Sequence, residues 1–101
     1  MAENSTEAKL DARIETAFNS DVPQLYCNAF TCGISTGDIV VALELNGKPI
    51  GTLNMSYTVA KTLGVSLCDL LKQFEVATNR TMLTTREVDE AMKAQNEAIK
   101  S

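Results

Sequence analysis

The chain has 101 residues, 45% of them hydrophobic and 5% aromatic, which suits one small aliphatic domain rather than a disordered chain. Its net charge of −4 argues against broad electrostatic binding to nucleic acid. No apolar run approaches a membrane span, and no apolar signal core opens the chain, so the expected location is the cytoplasm.

In chain order, Asn4-Ser5-Thr6-Glu7 resembles a capping box. Leu10, Ile14, Ala17 and Phe18 then form a narrow apolar stripe, which predicts a helix from about Thr6 to Phe18. The stripe is too thin to stand alone, so the segment is either a docking helix or a frayed tail. Val22-Pro23 closes it, because the residue before proline avoids the α region. The expected layout is a helical or flexible segment over residues 1–22, followed by a single α+β domain over 23–101.

Residues Gln24 to Ser35 read as a first strand, with Tyr26, Phe30, Cys32 and Ile34 on one face and Leu25, Cys27, Ala29 and Thr31 on the other. Thr36-Gly37 turns the chain into Asp38-Ile39-Val40-Val41-Ala42-Leu43-Glu44-Leu45, whose β-branched and aliphatic residues suit a half-buried pleated surface. Asn46-Gly47 favours a type I′ turn, since both residues tolerate positive φ. The return strand runs from Lys48 or Ile50 to Tyr57, with Pro49 beside the turn. Ile39, Val41, Leu43 and Leu45 then share a face with Ile50, Thr52 and Asn54. Val40 and Ala42 share the other with Gly51, Leu53 and Met55. Neither face is polar throughout, so both need covers, and a second subunit is one candidate cover.

Ser56 or Thr58 is placed to cap the next helix. Ala60, Leu63, Leu67, Leu70, Leu71, Phe74 and Ala77 recur at spacings of three and four, the mark of an amphipathic helix. Gly64 weakens that helix by about 1 kcal/mol and leaves room for a close neighbour. The helix should end near Thr78 or Asn79, because Asn takes the left-handed conformation readily. Thr84-Thr85-Arg86-Glu87 is a second capping box, flanked by Leu83 and Val88, and opens a final helix whose last turns are polar. The predicted fold is α+β: a three-stranded antiparallel meander packed by a long amphipathic helix, with N-terminal and C-terminal helices.

Catalytic equipment is missing from this pattern. The chain has no histidine, the commonest general acid–base group. Its cysteines, Cys27, Cys32 and Cys68, are odd in number and form no disulfide framework. They also make a weak zinc set, and are read as reduced core residues. No catalytic residue, metal ligand or cofactor is therefore assigned, and the chain is read as a non-enzymatic protein.

One local cluster has binding chemistry. Ser56, Thr58 and Lys61 lie at a helix start after a strand, where free N–H groups and the helix dipole could hold a phosphate-like anion. Capping alone accounts for the two hydroxyls and is the simpler reading. Two functions follow. The first is a protein-binding module that self-associates, as a homodimer or larger homo-oligomer, through its sheet or helices. The alternative is a protein that binds a small nucleotide-like ligand at Ser56, Thr58 and Lys61.

Leu25-Tyr26-Cys27-Asn28-Ala29-Phe30, Met55-Ser56-Tyr57-Thr58-Val59-Ala60-Lys61 and Phe74-Glu75 resemble the opening strand, the helix start and the helix close of a small prokaryotic and phage family, domain of unknown function 3467. The resemblance covers about residues 24 to 75. Tyr57 stands where that family usually has proline, and the strands here are more apolar. The resemblance implies a short strand, two further strands and a helix. It brings no assigned chemistry, and it is the sole source of a phage setting for the ligand-sequestering alternative.

Overall fold

A computed structural model describes residues 11–100. The expected capping box at Asn4 to Glu7, and Leu10, lie outside the described residues. The fold is α+β, with element order α1 (Ala12–Phe18), β1 (Ala29–Ser35), β2 (Asp38–Leu45), β3 (Lys48–Ser56), α2 (Tyr57–Thr78) and α3 (Thr85–Lys100). The chain divides into two units, Met1–Asn54 and Met55–Ser101.

In the first unit, α1 runs from Ala12, and the part of the expected helix from Thr6 to Leu10 lies outside the described residues. Asp11 is the cap: its extended backbone stops the helix, and Oδ1 accepts from the Arg13 N–H at 2.7 Å. The same carboxylate accepts from the Arg13 guanidinium, which holds the Asp11 carboxyl below its usual range. Ile14 and Phe18 of α1 are exposed.

The sheet is an antiparallel meander in the order β1-β2-β3. The first strand begins at Ala29, five residues later than the apolar pattern predicts, so Cys27 falls outside it. The side chains before it have other partners. Leu25 lies over Gly51, where an added Cβ would come 3.6 Å from Leu25 Cδ1. Asn28 is tied to the β2–β3 turn at Asn46.

In the β1–β2 register, Phe30 faces Leu43, Cys32 faces Val41 and Ile34 faces Ile39. These residues therefore share one side of the sheet, as the alternation predicts. The β2–β3 loop is the two residues Asn46 and Gly47, with φ of 54° and 83°. Positive φ at both positions is the type I′ geometry, which matches the twist of the strands. That loop length places Ile50 on the same side as Leu43. The third strand ends at Ser56, one residue short of Tyr57, because Ser56 is already the helix cap.

In the second unit, α2 is capped by Ser56, whose Oγ accepts from the Val59 N–H at 3.2 Å. It closes at Asn79, with φ 55° and ψ 40°, where the Asn79 and Arg80 N–H groups donate to the Val76 and Glu75 carbonyls. Glu75 also reaches forward: its Oε2 accepts from the Met82 N–H at 2.8 Å and orders the link to α3. The capping box of α3 closes in both directions. The Glu87 N–H donates to Thr84 Oγ1 at 3.2 Å, and the Thr84 N–H donates to Glu87 Oε1 at 2.8 Å. This helix continues to Lys100 despite its polar last turns.

Candidate functional site

Two apolar surfaces stand out, one in each unit. On the sheet, β2 is the central strand, and neighbours on both edges cover it in part. Leu43, at 9% exposure, is the one buried hydrophobic among the described residues. The β1 members of the same face are open to solvent, with Phe30 at 64% and Ile34 at 78%. Cross-strand pairing with Leu43 and Ile39 covers one flank of each side chain and leaves its outer side uncovered.

The second surface lies along α2. Leu63, Leu67, Leu70, Leu71 and Phe74 project from one side of the helix, all exposed, from 38% at Leu63 to 61% at Leu70. No residue of this helix is buried. Gly64 lies on the edge of that stripe with open space where a Cβ would stand. A shallow depression follows, lined by Ala60, Lys61, Gly64, Val65, Cys68 and Asp69. Single exposed leucines are ordinary. A continuous row of them along about three turns of helix marks a surface that meets something.

The three cysteines are exposed, which corrects their reading as buried core residues. Cys32 faces the same side as Phe30 and Ile34, so it belongs to the exposed sheet surface. Cys68 borders the Gly64 depression on α2. Among the described residues, no group of three potential ligands could hold a metal ion. No helix there is long and apolar enough to cross a membrane.

The cluster expected to hold an anion is placed as follows. Ser56 is the cap, and its oxygen is engaged by the Val59 N–H. The Thr58 carbonyl accepts from the Thr62 hydroxyl at 3.0 Å. Thr58 and Lys61 are three residues apart on the first turns of the helix, with no acidic residue in the first turn. With the Val59 N–H already satisfied, this turn has one donor fewer to offer an anion.

Sequence reasoning missed the contact between Asn28 and Asn46. Asn28 Nδ2 donates to Asn46 Oδ1 at 2.9 Å, and the Asn46 N–H donates to Asn28 Oδ1 at 3.0 Å. The Asn28 N–H also donates to the Glu44 carbonyl at 3.0 Å. One amide side chain thus fixes the entry to β1 against the β2–β3 turn, and sets the position of Phe30 two residues later. The partners are 18 residues apart, so no local pattern announces them.

No protein-family model matches the chain, and no curated protein or solved structure matches it. The functional reading therefore rests on the geometry of the chain itself.

Proposed function

We propose that this chain is a small, non-enzymatic protein-binding module that self-associates. One observation carries the reading: Leu43 is the one buried hydrophobic among the described residues, while the rows on the sheet face and on α2 lie exposed. Fixing a residue's backbone costs about 1–2 kcal/mol, and burial of apolar surface is the main term that offsets it. A single buried leucine falls far short of that requirement. A chain with ordered elements and so little internal burial gains the missing burial from another molecule, and a second copy is always at hand.

Native mass spectrometry of freshly purified protein tests this. A dimer or larger homo-oligomer without added mass is the expected result. A bare monomer at tens of micromolar would overturn the reading. An oligomer carrying a small extra mass would instead favour ligand sequestration at Ser56, Thr58 and Lys61.

A further inference from the structure

We infer that α2 is the self-association element, and that it pairs with α2 of a second copy in an antiparallel, two-fold symmetric arrangement. This rests on the self-association just proposed and names its surface. The apolar residues Ala60, Leu63, Leu67, Leu70, Phe74 and Ala77 alternate at spacings of three and four. That is the seam spacing of a pair of packed helices. The exposure of its large members leaves the seam free to be filled.

The order of sizes along the seam selects the direction. It is nearly the same read from either end, with the midpoint between Cys68 and Asp69. Antiparallel pairing about that point sets Ala60 level with Ala77 of the second copy, Leu63 with Phe74, and Leu67 with Leu70. Small residues then meet at the ends and large ones in the middle, so the helix axes keep one spacing throughout. On the flank, Leu71 of one copy comes beside the open space at Gly64 of the other. A parallel pair would instead stack Phe74 on Phe74 and Ala60 on Ala60, forcing the axes apart at one end and leaving a gap at the other.

The half-exposed leucines and Phe74 give the pair a small interface, at the low end of those that hold two proteins together. Self-complementary contact of this kind is what a two-fold dimer requires.

Cross-linking tests the direction. Leu63→Cys and Phe74→Cys would be made separately in a background with Cys27, Cys32 and Cys68 changed to serine, then treated with a short bismaleimide. Cross-linked dimer when the two variants are mixed, and none from either alone, is the expected result. Cross-linking of Leu63→Cys with itself would overturn the antiparallel pairing. A dimer on native mass spectrometry that no α2 pair cross-links would place self-association elsewhere and refute this inference alone; a monomer would refute both. A seam charge guards against misfolded cysteine variants. Leu67→Glu should raise the dimer Kd at least roughly tenfold with helix content intact by circular dichroism. An unchanged Kd would overturn the pairing.

Discussion

Strand β2 and helix α2 are both rich in apolar residues and dispose of them in different ways. Each residue from Ile39 to Leu45 is at least partly covered, because strands pair with it on both edges. No residue of α2 is buried, although the helix runs for 22 residues. A strand gains neighbours from its own hairpins at short range, whereas a helix satisfies its backbone alone and must find packing elsewhere. The difference shows which apolar residues have partners within their own sheet and which α2 leaves exposed.

Substitutions can break this comparison. Leu43→Ala should cost about 3 kcal/mol in urea unfolding, by the same amount at every protein concentration, because its surroundings lie within one sheet. Leu67→Ala should cost about 2 kcal/mol at high concentration, and the loss should shrink on dilution as the parent protein itself dissociates. An equal loss at all concentrations would mean that α2 is packed within its own chain.

Smaller effects sharpen the account of the sheet. Gly47→Ala should cost about 1–2 kcal/mol, since its φ of 83° suits glycine and strains alanine. Asn28→Ala should cost about 1 kcal/mol through its two bonds to Asn46. Hydrogen exchange in that variant should quicken first around Ala29 and Phe30. The smallest effect is at α1. The bond to Arg13, with its cation nearby, lowers the folded-state pKa of Asp11 below 3.8, so its stabilisation is fully present above that value. As pH falls through the lowered value the carboxylate is protonated and the cap is lost. Amide chemical shifts of Ala12 to Phe18 should therefore drift toward coil below about pH 3.8 while those of β2 stay fixed.

Much of the fold was legible because its signals are local. Asn46-Gly47 set the hairpin, and with it the parity that puts Leu43 and Ile50 on one side. Ser56, Asn79 and the Thr84–Glu87 box marked helix ends within a turn of sequence. The start of β1 was not legible: the apolar alternation runs on through Leu25 and Cys27, but Asn28 and Leu25 are held by residues far along the chain. The cap at Asp11 was masked by an earlier match to a capping-box pattern. At the candidate site, the stripe on α2 was readable from spacing. Its exposure was not, because a periodic pattern identifies an apolar face without saying which molecule covers it.

Hydrogen exchange followed by mass spectrometry across a hundredfold range of protein concentration tests the central claim most directly. Self-association through α2 predicts that the amides of Leu63 to Phe74 gain protection steeply with concentration, while the β2 amides around Leu43 change little. Protection of α2 that is the same at every concentration, in a protein that stays monomeric, would contradict it.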